Sequence, residues 1–479
     1  METGTYLNAL DKHAEELLKK WNAQGFSVGV IRGGQVIAAA GYGKRNDTDP
    51  VDAETLMPIG SATKSFTSLL IGMLAEEGKL CWDTPVIQYI PSLKLYDPYV
   101  SSHVTLRDLL SHRTGVAAYD AQSIYAVPEN RADMIPQLEY LEPQFGFRAG
   151  FKYSNQMVML AGACAEAVTG KSYEELVTER ILRPLGMSHT YMTVKDMELQ
   201  ENRSLGYLFN GQANMAQPYL DLKAVGPAGA ICSDITDMMK YMKFQLGDGT
   251  WDGVKLAEKA TLDEMHKPQF LGSPYLFALP EITETTYGLG WFTDLYRGRK
   301  MWSHGGNTLG FSSLMTLLPS EDLGIIVLSN GTTNFLPQAL TYAILDDVLN
   351  VPAEDWTDKL NAVLGPLFAA MAQGAQAREE ARVKDTAPSL PLRAYEGSYA
   401  NPGFRNIDIA EKDGGLVLNW NGYDGMLMHY NYDVFTALMF VYGLQVPVTF
   451  RIEDGAVTGF EAVMEPTPGI PPVFFAKKL

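Results

Sequence analysis

The sequence predicts an α/β protein, an antiparallel sheet flanked by helices with an added helical lobe, followed by a small antiparallel β-barrel. Three observations predict it. Two short β-type runs, 26–31 and 35–42, stand near the amino end, and a second β-rich block occupies 287–330. Mainly helical segments separate the two blocks. From Pro388 onward the texture becomes roughly seven short β-prone runs at regular spacing, broken by glycines and aspartates, as in a small barrel or sandwich.

Each element has its own justification. Leu7, Leu10, Ala14, Leu17 and Leu18 recur at helical spacing on a charged background, so the chain starts with an amphipathic helix. Arg32-Gly33-Gly34 links the first two β runs, and its glycines permit the positive φ of a tight hairpin. Helical patterns follow at 65–77, 106–111, 156–168 and 233–245. The second block reads as strands 288–295, 300–304, 310–318 and 324–329, with a turn at Tyr296-Arg-Gly-Arg. Strands at both ends with helices between place the early hairpin in one sheet with the later strands, and leave a cleft beside the helical lobe. An apolar helix at 336–349 precedes a stretch, 354–385, rich in Ala, Glu, Lys and Gln, that reads as a helical connector with Pro366 inside it. The expected division is a domain at 1–352, a helical linker at 353–387 and a β-barrel domain at 388–479. Barrel strands are expected at 395–399, 406–410, 415–420, 425–430, 434–440, 446–453 and 456–464. The aromatic side chains Phe404, Trp420, Tyr423, Tyr430, Tyr432, Phe435 and Phe440 fit a barrel core better than a ligand pocket.

Composition narrows the function. A chain of 479 residues exceeds what one hydrophobic core usually organises. With 38 basic against 56 acidic residues the formal charge is −18, which repels phosphate backbones and anionic membranes. Neither nucleic acid nor a membrane is expected as a partner. The amino end lacks the basic patch and apolar stretch of a secretory signal, so a cytoplasmic location is expected. Cys81, Cys164 and Cys232 lie far apart without metal spacing, and the seven histidines show no His-Glu-x-x-His pattern. No metal and no organic cofactor is expected.

Three segments carry chemistry. In Met57-Pro-Ile-Gly-Ser61-Ala-Thr-Lys64, Gly60 can turn the chain into a helix whose apolar face continues through Phe66, Leu69, Leu70 and Met73. Positions three apart share a helix face, which brings the Lys64 amine toward the Ser61 hydroxyl. A serine needs a base to become a nucleophile, and a lysine serves once its pKa is lowered. Alone, the four-residue pattern also fits a capping serine and a solvated lysine. Gly150-Phe-Lys-Tyr153-Ser-Asn155 stands just before an apolar helix, where the Tyr153 phenol and Asn155 amide can enter the cleft. A phenol beside an ammonium can be partly ionised, which makes Tyr153 a second candidate base. Trp302-Ser-His304-Gly305-Gly306-Asn307 ends a β-prone run, and its paired glycines let a substrate backbone approach while a following N–H faces a developing oxyanion.

Ser61-Ala-Thr-Lys64, Tyr153-Ser-Asn155 and His304-Gly-Gly306, in that order, resemble the active-site signature of the serine β-lactamase and penicillin-binding-protein superfamily, nearest its class C-like branch. The segments 105–115, 181–187 and 227–234 are also similar to that family, and the resemblance covers roughly residues 10 to 350. It implies the β-lactamase/transpeptidase-like fold and acyl transfer. Ser61 would attack a carbonyl, Lys64 and Tyr153 would shuttle the proton, Asn155 would hold Lys64 and substrate, and the main-chain N–H groups of Ser61 and Asn307 would form the oxyanion hole.

Two departures refine the expectation. Penicillin-acting members usually carry lysine where His304 stands, and a histidine supplies positive charge only part of the time near neutral pH. The carboxy-terminal module resembles the lipocalin-like barrels appended to D-aminopeptidases of the superfamily. The expected activity is therefore a serine hydrolase for small peptide, amide or ester substrates, D-aminopeptidase- or esterase-like. The alternatives are a β-lactamase or penicillin-binding D,D-peptidase, and a catalytically idle ligand-binding relative. Expected partners are a small molecule or short peptide, and a homo-oligomer is left open.

Overall fold

The computed structural model describes residues 5–271, 278–332, 334–441 and 443–478. A single turn at Thr5–Asn8 leads into α1 (Leu10–Lys20), whose Leu10, Ala14 and Leu17 form a buried face. Strands β1 (Gly25–Arg32) and β2 (Gln35–Gly43) form the early hairpin. The second block supplies β3 (Phe292–Tyr296), β4 (Arg299–Thr308), β5 (Phe311–Leu318) and β6 (Leu323–Ser329). All neighbours are antiparallel in the order β2-β1-β6-β5-β4-β3, extended beyond β3 by two-residue strands. Phe26 opposes Ser329 and Val30 opposes Ile325, so the first hairpin joins the last strand of the block.

Between the blocks lie α2 (Thr63–Glu76), α3 (Asp120–Tyr125), α4 (Asn155–Thr169) and α5 (Ile235–Leu246), and after β6 comes α6 (Leu336–Val348). Strand β1, one in from the sheet edge, is buried almost throughout because helices cover both faces. Phe26, Val28 and Val30 pack with Leu10 and Leu17 of α1 and Leu340 and Leu345 of α6. On the other face α5 approaches so closely that a Cβ on Gly29 would lie 2.9 Å from Met239 Sδ. One strand differs from expectation. The run 288–295 becomes a strand only at Phe292, because the Gly288 N–H bonds to the Trp291 carbonyl in a turn with Gly290 at φ +75°.

The connector is a helix, α7 (Trp356–Glu380), with Pro366 inside it and only Trp356, Thr357, Leu360 and Leu364 buried. Beyond it stands a closed antiparallel barrel, Gly397–Asn401, Arg405–Lys412, Gly415–Trp420, Tyr423–Asn431, Val434–Met439, Gln445–Glu453, Ala456–Ala462 and Val473–Lys477. It has eight strands rather than seven. The last, Val473–Lys477, follows a run broken by Pro466, Pro468, Pro471 and Pro472, and it closes the barrel by pairing with Tyr399 and Ala400. Trp420, Phe435, Phe450 and Phe460 fill the interior and leave a void of about 20 Å³, room for no ligand. Tyr432 and Phe440 are exposed instead. Among the described residues no helix is long and apolar enough to cross a membrane.

The barrel leans on the helical lobe beside the cleft. Trp420 stacks on Tyr125 with ring centroids 5.3 Å apart, and Tyr423 meets the same ring edge-on. The Tyr125 hydroxyl donates to the Val441 carbonyl, and Asn421 Nδ2 donates to the Val127 carbonyl at 2.9 Å. Trp420 and Tyr423, for which the sequence favours a barrel core over a pocket or protein interface, also clasp α3.

Candidate active site

Ser61 sits in a single 3₁₀ turn, Gly60–Ala62, that runs straight into α2 and places Lys64 one turn further on. The two glycines flanking this turn explain its position. Gly60 adopts φ +54°, and a Cβ on it would lie 2.9 Å from the Asn307 nitrogen. A Cβ on Gly306 would lie 2.0 Å from the Ile59 carbonyl oxygen and 2.6 Å from the Ser61 nitrogen. Only two residues without side chains allow β4 and the Ser61 turn to press together backbone to backbone. The Ser61 and Asn307 N–H groups are thereby held on either side of one contact.

Lys64 is fully buried. Its Nζ lies 3.0 Å from Ser61 Oγ, 2.8 Å from Asn155 Oδ1 and 2.6 Å from the Ala228 carbonyl oxygen, and 4.7 Å from the centre of the Tyr153 ring. Burial holds its pKa well below that of a free lysine, with Asp120 pulling weakly the other way. A neutral amine has two protons and one lone pair. Asn155 Oδ1 and the Ala228 oxygen can only accept, so they take both protons, and the lone pair is left facing the Ser61 hydroxyl.

Tyr153 is hydrogen-bonded to Ser61 from the other side. Burial pushes the phenol pKa above its ordinary value, the Ser61 bond lowering it and Asp120 adding to the rise. The partly ionised phenol expected from the sequence is thus corrected: removed from water, Tyr153 keeps its proton. Its loop is held from below by Asp108, a fully buried carboxylate that receives Arg113 Nε at 2.5 Å and both Nε and Nη2 of Arg148 at 2.8 and 2.7 Å.

His304 is placed differently from expectation. Its ring is buried in β4 behind the site, with Nε2 3.0 Å from the Tyr287 hydroxyl and Nδ1 2.7 Å from the Gly305 carbonyl oxygen. Burial, reinforced by Lys64 and opposed by the Gly305 carbonyl, brings its pKa down to about 3. The part-time cation expected from the sequence is a neutral ring with both nitrogens engaged. Gly305 lies beside it in the strand, and Asn307 reaches the opening, where its Oδ1 accepts from Ser312 Oγ at 2.8 Å.

Ser61, Asn155 and Asn307 line a cavity of about 250 Å³ whose far wall is Ile124, Leu220, Leu222 and Val225. Sequence reasoning missed four contributors: the Ala228 carbonyl, the Asp120 carboxylate, Tyr287, and His112, whose ring stands 4.3 Å from that of Tyr153. Two of these lie inside the segments 105–115 and 227–234 that drew notice for their family likeness, but nothing in composition distinguished them. Among the described residues no group of three or more His, Cys, Asp or Glu side chains is arranged to hold a metal ion.

Comparison with known proteins gives the family. A family model described as β-lactamase matches residues 10–349. The chain belongs to the β-lactamase family. Residues 381–477 of this β-lactamase-family protein also match a model described as a domain of unknown function, DUF3471. Its relatives include the unguisins hydrolase ungD of Aspergillus violaceofuscus, 29% identical over 500 residues that cover 93% of this chain and 86% of the relative. The octameric penicillin-binding protein homologue from Pyrococcus abyssi superposes with a TM-score of 0.64 at 22% identity, covering 98% of this chain and 99% of its own. The D-amino acid amidase from Ochrobactrum anthropi SV3 does so with a TM-score of 0.59 at 22% identity, covering 72% of this family member and 97% of its own chain. At such identities these two structures speak for the fold: the sheet-and-helix body, and in the first case the full chain length.

Proposed function

We propose that this protein is a serine hydrolase that works through an acyl-enzyme on small amides, short peptides or esters. The observation that carries the proposal is the buried Lys64 amine 3.0 Å from Ser61 Oγ, with two pure acceptors, Asn155 Oδ1 and the Ala228 carbonyl oxygen, engaging it from elsewhere. In this reading Ser61 Oγ attacks a carbonyl carbon while its proton passes to Lys64 Nζ. The oxygen of the tetrahedral intermediate rests on the Ser61 and Asn307 N–H groups, which are already in place and need no reorganisation. Tyr153, still protonated, donates its proton to the leaving group and recovers one from Lys64. Water then enters, loses a proton to the same pair, and releases the acyl group. Asn155 holds Lys64 through Oδ1 and keeps Nδ2 for a substrate carbonyl.

A β-lactamase or D,D-peptidase reading would need a cation for the substrate carboxylate, and the neutral His304 supplies none. The idle-binder reading leaves unexplained why a buried lysine with a lowered pKa stands 3.0 Å from a serine hydroxyl. We assign the chain to a hydrolase part at 1–352, a linker at 353–387 and a barrel part at 388–479, the barrel shaping the cleft through α3. A homo-oligomer is compatible with this reading because the barrel contact leaves the α7 side chains Phe368 and Met371 exposed.

The test is covalent labelling followed by turnover. A fluorophosphonate probe should modify Ser61 in the native protein and not in Ser61→Ala, and a panel of D- and L-aminoacyl anilides, p-nitrophenyl esters and a chromogenic cephalosporin should show hydrolysis of the first two classes. Equal labelling of both proteins would remove the assignment of Ser61.

A further inference from the structure

The cavity that opens onto Ser61 has one charged residue among the described residues lining it, Asp120. Asp120 begins α3, directly after Tyr119, which is held at φ +42° and ψ 52°, a left-handed conformation uncommon for a bulky side chain. That conformation is over-determined by its surroundings. The Tyr119 N–H donates to Glu465 Oε2 at 2.9 Å, its ring meets Phe404 edge-on, and its hydroxyl accepts from the Glu142 N–H at 3.1 Å. The barrel therefore fixes the residue that aims Asp120. A strained residue kept in place by three partners from two parts of the molecule is what a positioned functional group requires.

The Asp120 carboxylate itself makes no hydrogen bond or ion pair with the described residues. The charged groups that face it are Glu465, Lys152 and Lys64. Lys152 is taken up by Glu465 at 3.5 Å and by Thr467 Oγ1 at 3.0 Å. The Lys64 amine, its pKa held down by burial, is committed to Ser61, Asn155 and Ala228. An exposed carboxylate on the cavity wall that makes no ion pair with the described residues is complementary to a cation brought by the ligand.

We infer that Asp120 is a specificity residue that receives the free α-ammonium group of an aminoacyl amide, ester or short peptide whose acyl carbon lies at Ser61. The inference deepens the hydrolase reading and rests on it. The rest of the wall fits the same ligand: Ile124, Leu220, Leu222 and Val225 offer an apolar surface for one side chain, and a volume of about 250 Å³ is that of roughly eight waters, room for a single aminoacyl group.

The experiment compares three substrates on the full-length native protein and on Asp120→Asn: leucine p-nitroanilide in both enantiomers, its N-acetyl derivative, and p-nitrophenyl butyrate. The native protein is expected to prefer the free amine over the N-acetyl form. Asp120→Asn is expected to lose about 10- to 100-fold in kcat/KM on the free amine, mainly through KM, as a charge-assisted contact does. The butyrate ester, which has no amine, should change less than about twofold, because it never uses the ion pair. An equal loss on ester and anilide would mean that Asp120 supports the site generally, and would overturn the inference. So would an unchanged KM for the free amine, or a native protein that hydrolyses the ester and no free-amine substrate. Fluorophosphonate labelling of Ser61 runs alongside: labelled Ser61 with unchanged amine selectivity defeats Asp120 alone, whereas absent labelling and absent turnover defeat the hydrolase reading and this inference with it.

Discussion

Lys64 Nζ and the Ala228 carbonyl oxygen stand 2.6 Å apart, a contact made across 164 residues of sequence by a side chain with no exposure to solvent. That carbonyl occupies one amine proton and helps turn the lone pair toward Ser61. A guanidinium in the same place cannot give up its proton. Lys64→Arg is therefore expected to lose roughly 10²–10⁴-fold in acylation rate, the usual worth of a general base. Stopped-flow acylation with an activated ester measures it, and a variant within threefold of the native rate would contradict the assignment of Lys64 as base.

For Tyr153 the prediction concerns protonation. Burial keeps the phenol a proton donor at all pH values below its raised pKa. Tyr153→Phe should then slow kcat for amide substrates, whose amine leaving group must be protonated, far more than for p-nitrophenyl esters, whose leaving group departs as an anion. A loss of roughly 10²-fold or more on the anilide is expected against a smaller loss on the ester. Equal losses on both would assign the phenol to nucleophile activation instead.

Gly306 and Gly305 are neighbours with different freedom. A Cβ on Gly306 would meet main-chain atoms at 2.0 and 2.6 Å, whereas one on Gly305 would meet its nearest atom, the Ser313 carbonyl oxygen, at 3.1 Å. Gly306→Ala should part β4 from the Ser61 turn and cost about 10²–10³-fold in kcat, the loss typical of a displaced oxyanion donor. Gly305→Ala should retain most activity. Steady-state kinetics of the pair, with circular dichroism to verify folding, distinguishes the two.

Stability has a pH dependence with a definite sign. His112, His266 and His304 are buried and their pKa values are depressed, those of His266 and His304 to about 3, in each case first by burial. The unfolded chain takes up protons at about pH 6.5, where the folded chain does not. Stability is therefore full above pH 6.5 and falls as pH drops toward about 3, by ~1.4 kcal/mol per pH unit for each such ring. Among the described residues His266 has no hydrogen-bond partner on either ring nitrogen, and it stacks on Trp302 with ring centroids 3.8 Å apart. His266→Phe should flatten the decline by one proton's worth, read from urea unfolding at pH 7, 6, 5 and 4; an unchanged slope would refute the assignment.

Glu465 joins the barrel to the helical lobe. Besides the Tyr119 N–H, its carboxylate accepts the Thr467 N–H at 3.2 Å and pairs with Lys152, the residue before Tyr153. Removing it leaves a buried N–H and a cation unsatisfied. Glu465→Ala is expected to cost about 1–3 kcal/mol in unfolding free energy. It should also raise KM for free-amine substrates, because Tyr119 no longer aims Asp120. Thermal unfolding and kinetics measure the two effects separately.

Local pattern carried much of this into view. The hairpin around Gly33-Gly34, the amphipathic α1, the shared helix face of Ser61 and Lys64, and the β texture beyond Pro388 all rest on residues within a few positions of one another. The turn at 288–291 and the strand Val473–Lys477 were not legible, because a glycine turn inside an apolar run and a short strand after prolines are both defined by their pairing partners. Aromatic side chains misled for the same reason: Trp420 reads as barrel core, and only the approach of Tyr125 makes it an interface residue as well.

The sequence by itself determined which chemical groups this protein has and their order along the chain, since hydroxyl, amine, phenol and paired glycines are fixed by residue type and spacing. Only the tertiary structure decided their protonation and their partners. Burial lowers the pKa values of Lys64 and His304 and raises that of Tyr153, and the fold leaves Asp120 without an ion-pair partner among the described residues. Those states depend on which distant segments exclude water from each group, and solvent exclusion is a property of packing that no single segment carries.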